Sequence, residues 1–258
     1  MCTLIVLYRC FADAELLVAA NRDETLERPA EPPALRSWNG RAVLAPRDAR
    51  AGGTWLGMND ARVFAALTNR PARQPDPSRR SRGLLVSDAL AAPDAAAAAA
   101  KLAELSARAY NPFNLFVCDR QDAFVVVYEE KPEVRRLAAG AHVIGNGDPN
   151  SRSLPKVARL LDEAAAIAGG GLEEALAGLA RSCRVHRGGS PFEDTCIHAG
   201  SYGTRSSALI RWGSRREADV FRFANGPPCT SDYEDFTALL TQLDRTGLRA
   251  GAATRNHA

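Results

Sequence analysis

The sequence predicts an α+β domain in which two antiparallel sheets stack face to face with helices on the outside. Three observations carry this. Apolar strand-like runs come in adjacent pairs with short polar links, the signature of antiparallel hairpins. Helix-forming stretches are grouped into two blocks that alternate with blocks of strands. No internal repeat or domain-scale linker interrupts residues 1–245, which are therefore read as one domain.

The elements follow in order. Thr3 to Tyr8 and Leu16 to Ala20 are apolar runs separated by Phe11-Ala12-Asp13-Ala14, a first hairpin. Pro29 to Pro33 is proline-rich and is excluded from a sheet interior, because proline cannot donate to the ladder. Thr54 to Met58 and Arg62 to Thr68 form a second hairpin turning at Asn59-Asp60, residues that tolerate tight-turn conformations. Residues 70–82 read as loop. The Ala- and Leu-rich stretch from Gly83 to Ala107 is helical and broken in two by Pro93. Strands are expected at Asn114 to Cys118, Phe124 to Tyr128, Val134 to Leu137 and His142 to Ile144. Helices follow at Val157 to Ile167 and Leu172 to Ala180, on either side of Gly169-Gly170-Gly171. Ser206 to Trp212 and Val220 to Phe223 are the last strands, and Ser231 with Glu234 forms a capping box that opens a final helix. The polar, glycine-rich residues 246–258 are expected to be a disordered tail.

Composition narrows the function. A net charge of +3 over 258 residues makes no case for nucleic acid, and the basic cluster Arg79-Arg80-Ser81-Arg82 reads as a solvated loop without interleaved aromatics. No run reaches the ~18 apolar residues of a membrane helix. The six cysteines are too scattered for the disulfide framework of a small secreted protein. The apolar start lacks the basic leader of a signal peptide. A reduced, cytoplasmic protein is expected, and its Ala- and Arg-rich composition looks bacterial.

Chemistry centres on the N-terminus. A small second residue favours removal of the initiator methionine, which would leave Cys2 with a thiol and a free α-amine. An amine titrating near ~7.7–8.0 accepts the thiol proton at neutral pH, so nucleophile and base sit in one residue. If the first turn is centred between Ala12 and Asp13, paired positions sum to about 25. Cys2 then faces Asp23, with Arg22 and Glu24 beside it. A carboxylate there holds the amine, and an arginine lowers the thiol pKa. The bland alternative is a charged surface turn at a strand end. Cys183, His186, Cys196 and His198 are zinc-type ligands, but their spacings of two, nine and one residues match no common structural zinc pattern. No metal site is expected from them, and Gly145-Asn146-Gly147 is no phosphate-binding fingerprint.

Several ordered blocks carry a family resemblance. They are Met1-Cys2-Thr3, Ala20-Asn21-Arg22-Asp23-Glu24, Arg28-Pro29, Gly52-Gly53-Thr54-Trp55-Leu56-Gly57 and Ala65-Ala66-Leu67-Thr68-Asn69, then Arg82-Gly83, Tyr110-Asn111-Pro112-Phe113-Asn114-Leu115, Gly145-Asn146 and Tyr202-Gly203-Thr204-Arg205-Ser206-Ser207. Together they resemble the NRDE family, also called the transport and Golgi organisation protein 2 family. The resemblance implies the N-terminal-nucleophile hydrolase fold, a four-layer αββα sandwich. It also implies a distant likeness to penicillin V acylases and bile-salt hydrolases.

By that likeness Cys2 would be the nucleophile, with Arg22 beside it and Asp23 orienting the amine. Asn146 would supply an oxyanion-hole donor, and Arg205 would position the substrate or the thiolate. Asn21, Trp55 and Asn69 would contact substrate, Asn69 as a second oxyanion candidate. The turn setting of Asn146 between two glycines and a core role for Trp55 are the plain alternatives. Two functions stay open. One is hydrolysis of a linear amide or related acyl bond with no cofactor required. The other is non-catalytic carriage of haem or of an acyl-CoA or lipid-like ligand.

Overall fold

In the computed structural model, which describes residues 2–187 and 190–245, fourteen strands and five α-helices, the fifth over residues 237–245, build two sheets with a helical layer outside each. The strands are β1 (Cys2–Phe11), β2 (Ala14–Thr25), β3 (Ala30–Trp38), β4 (Arg41–Asp48), β5 (Leu56–Asn59), β6 (Phe64–Asn69), β7 (Phe113–Cys118), β8 (Ala123–Tyr128), β9 (Pro132–Arg136), β10 (Gly140–Ile144), β11 (His198–Ala199), β12 (Tyr202–Gly213), β13 (Val220–Ala224) and β14 (Glu234–Asp235). The other four helices are α1 (Arg82–Ala89), α2 (Ala95–Ala103), α3 (Pro155–Ala168) and α4 (Leu172–Cys183). The first sheet runs β10-β1-β2-β12-β13-β14, with β11 against β12; the second runs β3-β4-β5-β6-β7-β8-β9. Every recorded pairing is antiparallel. No described helix is long and apolar enough to cross a membrane.

Strand alternation sorts the core into three layers. Between the sheets lie Leu4, Val6, Leu16, Val18, Phe64, Phe116, Ile210 and Trp212. Outside the second sheet, Val43, Ala65 and Leu115 meet the small residues of α1 and α2. Outside the first sheet, Ile5, Leu17 and Ala19 meet Leu160, Leu176 and Leu179 of α3 and α4. From Leu4 to Tyr8 of β1 and from Leu16 to Ala20 of β2, even-numbered positions therefore face the second sheet and odd-numbered ones face the helices. Ser81 and Asp94 cap α1 and α2 with their side chains, and Pro93 separates the two helices as expected.

Three expectations change. The proline-rich segment does enter a sheet, but as the edge strand β3 with an irregularity between Glu31 and Ala34, where proline is tolerated. The final helix covers residues 237–245 and does not begin at Ser231. Glu234 is instead paired in β14, and the Asp235 carboxylate accepts from the Thr237 N–H. The expected tail at 246–258 lies outside the described residues.

The third change concerns the first hairpin. Pairing sums to 25 at its turn, where Phe11 faces Ala14, but to 24 beyond Tyr8, which faces Leu16. Arg9 and Cys10 form a bulge there, with Arg9 at φ +53°. That one extra residue sets Cys2 opposite Arg22 and not opposite Asp23.

Candidate active site

Cys2 begins β1 on the face between the sheets, directly across from Arg22. It sits in a cavity of about 100 Å³, walled by Arg22, Glu24 and Arg28 from one side and by Asp48, Trp55, Asn69 and Arg82 from the other. The wall is shaped by a close backbone approach. Thr54 N–H donates to Gly83 O at 3.1 Å, and a Cβ on Gly53 would stand 2.2 Å from the Gly83 carbonyl carbon. Only glycine fits there.

The electrostatics are dominated by guanidinium groups. Arg22 is 5 % exposed; its Nη2 donates to Asp48 Oδ2 at 3.0 Å, and its guanidinium carbon lies 4.4 Å from the Trp55 ring centre. Its Nη1 is buried without a hydrogen-bond partner among the described residues. Arg28 Nε donates to the same Asp48 oxygen at 2.7 Å. The other oxygen of Asp48 accepts from the backbone N–H groups of Arg50 and Ala51. Burial opposes ionisation of Asp48, yet the Arg28 hydrogen bond and these amides hold its carboxyl below the ordinary range. Arg82 donates to Pro112 O, and among the described residues no carboxylate pairs with it. Burial lowers the pKa of both Arg22 and Arg82.

Burial also governs Cys2, pushing its thiol above the ordinary value. The Asp23 charge adds to this, and the charge of the chain's N-terminus, then the Asp23 backbone and the Arg22 guanidinium, only partly offset it. Arg22 acts in the expected direction and lowers the thiol, but the net shift is upward, because in a buried pocket desolvation outweighs it.

Asp23 borders the pocket, and as an odd-numbered position of β2 it falls on the side of the strand turned to the helices. There Thr204 Oγ1 donates to its Oδ1 at 2.7 Å, and burial pushes the carboxyl up to about 6. Asn21 shares that outer face. Its Nδ2 donates to Cys183 O and Thr195 O, both at 2.9 Å, so it ties the sheet to the α4 end and does not line the pocket. Trp55 and Asn69 do line it. Asn146 stands one step behind, its amide donating to Asn69 O. Arg205 is not among the lining residues. It falls in an irregularity between Thr204 and Ser206, which turns it to bond Asn225 Oδ1 at 3.1 Å. The expected convergence of Asn146 and Arg205 on one pocket with Cys2 is thus not what the geometry places there.

Sequence reasoning missed Arg28, Asp48 and Arg82 as site residues. Asp48 ends β4, whose short apolar run is interrupted by Pro46. In sequence Arg82 reads as part of a solvated loop; the available signal is its neighbour Gly83, which the close approach to Gly53 requires.

Comparisons with known proteins give the family and the fold. The family model described as Transport and Golgi organisation 2 matches residues 1–222. The human transport and Golgi organization protein 2 homolog is 29 % identical over 233 residues, covering 76 % of this chain and 81 % of that protein. The mouse homolog is 27 % identical over 230 residues with the same coverage. Among solved structures, penicillin V acylase from Agrobacterium tumefaciens superposes with a TM-score of 0.57 at 16 % identity, covering 91 % of this chain and 86 % of that one. A conjugated bile acid hydrolase variant from Clostridium perfringens gives 0.59 at 13 % identity, with 94 % of each chain covered. The Caenorhabditis elegans ortholog of N-acylethanolamine-hydrolyzing acid amidase gives 0.57 at 12 % identity, covering 81 % and 92 %. These three share the N-terminal-nucleophile hydrolase fold, and this chain has it too.

Proposed function

The chain belongs to the Transport and Golgi organisation 2 family, and from that premise we propose that it is an N-terminal cysteine hydrolase of linear amide or related acyl bonds. The observation that carries the reading is the Cys2 sulfur in a pocket beside a buried guanidinium with an unused N–H. Removal of Met1 would free the Cys2 amine. That amine takes the thiol proton, and the sulfur forms a bond to the carbonyl carbon. Arg22 Nη1, together with Asn69, is suited to receive the developing oxyanion. Asn146 holds Asn69 through its backbone carbonyl. Collapse breaks the C–N bond, the departing amine takes the proton back, and water then hydrolyses the thioester. Arg205, bonded to Asn225, has no part in these steps.

The cavity bears on the substrate. About 100 Å³ is well below the ~300–1,000 Å³ of pockets that engulf a drug-sized ligand. It suits the reacting end of a substrate, with the remainder lying outside. A second reading is carriage of haem or of an acyl-CoA or lipid-like ligand. It draws on the three arginines Arg22, Arg28 and Arg82, which match a carboxylate or phosphate at the mouth.

Intact mass and an acyl-amide screen test the first reading. The expected results are loss of Met1, a covalent acyl adduct on Cys2, no turnover for Cys2→Ala and a weak residue for Cys2→Ser. Full retention of Met1, or turnover surviving Cys2→Ala, overturns hydrolysis. Haem or acyl-CoA titration with no acyl adduct under any substrate supports carriage instead.

A further inference from the structure

Far along the chain from Cys2, three separate segments bring four metal-ligating side chains together. His186 lies just beyond α4, Cys196 lies just before β11 and His198 opens it, and Cys229 lies in the turn after β13. His198 Nε2 is 3.0 Å from Cys229 Sγ and 3.6 Å from Cys196 Sγ, and the two sulfurs are 3.4 Å apart. The His186 and His198 rings are 4.4 Å apart between centres. The ligand atoms of His186, His198 and Cys229 all lie within 4.8 Å of one another.

Three of these distances approach the edges of a coordination sphere. With Zn–S near ~2.3 Å and Zn–N near ~2.0–2.1 Å, tetrahedral geometry sets ligand edges of about 3.8 Å for two sulfurs and about 3.6 Å for sulfur and nitrogen. Three of the observed edges lie within about 0.8 Å of these, and the His186 side chain is exposed and free to close the fourth corner. Two thiolates with two imidazoles select a zinc-type ion over magnesium or calcium, which take oxygen ligands. The scaffold is fixed independently of the cluster. Cys196 N–H donates to Val185 O at 2.9 Å, Thr230 and Ser231 N–H groups donate to Pro227 O, and Arg184 Nε reaches Pro228 O at 3.0 Å.

We propose that His186, Cys196, His198 and Cys229 bind a single zinc-type ion in a tetrahedral site that clamps the end of α4 and the β11 segment to the 227–231 turn. Binding displaces the two thiol protons into solvent. The sequence spacing of Cys183, His186, Cys196 and His198 gives no reason to expect a metal; Cys183 is buried in α4 against the first sheet, and the fourth corner is Cys229, 31 residues beyond His198. The clamp also backs Asp23. Ile197 N–H donates to Thr204 Oγ1, which in turn donates to Asp23 Oδ1.

The test is metal uptake by the full, reduced chain, read by elemental analysis after desalting and by Co²⁺ substitution. One retained zinc per chain is expected, with the visible bands of tetrahedral Co²⁺ and a thiolate charge-transfer band. Cys229→Ser and His198→Ala should each lower zinc affinity at least tenfold and abolish or shift those bands, while Cys10→Ser leaves them unchanged. His186→Ala, at an exposed position, keeps the test readable should a variant at buried Cys196 fail to fold. Zinc uptake unaffected by Cys229→Ser and His198→Ala overturns the site. So does reduced protein that takes up no Co²⁺ and instead forms a Cys196–Cys229 disulfide on air exposure, which would make the pair a redox couple.

Discussion

The two sheets face each other across one core, yet they are recruited differently. The second sheet is a meander in which every strand pairs with its neighbour in the chain, β3 through β9. The first draws β10 and β12 from beyond residue 139 to flank the β1–β2 hairpin. Local pairing needs little loop closure, whereas the first sheet must close long loops before its contacts form. Chemistry follows the same division. The non-local sheet carries Cys2, Arg22 and Asp23, and the local one supplies Asp48 and Asn69, with Trp55 and Arg82 beside it. A nucleophile at a chain end is held by strands that arrive late in the sequence, against a wall that assembles from its neighbours.

Three substitutions test how tightly the sheets act as one unit. Phe64→Ala is the largest. Phe64 is fully buried between the sheets, with Phe116 and Trp212 each 6.1 Å away between ring centres. A loss of about 3–5 kcal/mol in a single shifted unfolding transition is expected. Two separate transitions in calorimetry would show the sheets to be independent.

Asp48→Ala comes next, because Asp48 in the second sheet pairs with buried Arg22 in the first. Leaving that guanidinium short of its carboxylate should cost about 3 kcal/mol in urea titration. The pH sign follows from the depressed carboxyl of Asp48. Its contribution is full above the unfolded carboxylate value and is lost as pH falls through the folded value. Asp48→Asn should therefore flatten the acid limb of the stability curve. An unchanged acid limb would remove Asp48 from the inter-sheet tie.

The smallest effect is expected for Asn114→Ala, inside the local sheet. Asn114 Nδ2 donates to Gly145 O at 3.0 Å and Gly147 O at 2.9 Å, pinning the turn that carries Asn146. A loss of roughly 1–2 kcal/mol is expected, with hydrogen exchange accelerated around residues 145–147. Acceleration spread equally over β12 and β13 would show the two regions to be more strongly coupled than their construction implies.

Much of this architecture was legible in the chain. Paired apolar runs with polar links determined the antiparallel hairpins, Pro93 determined the break between α1 and α2, and the Met1-Cys2 start with its ordered motifs determined the family and the position of the candidate nucleophile. These are local properties, set by backbone propensity and side-chain period. Tertiary structure alone decided three other matters. The bulge at Arg9 and Cys10 chose Arg22 over Asp23 as the partner of Cys2, because a slip of one residue exchanges the faces of a strand. Packing of β4 and of the α1 start against β2 turned Asp48 and Arg82 from surface charges into pocket walls. Chain return after β13 set Cys229 beside His198, a meeting that no spacing announces because it depends on where two distant turns end in space.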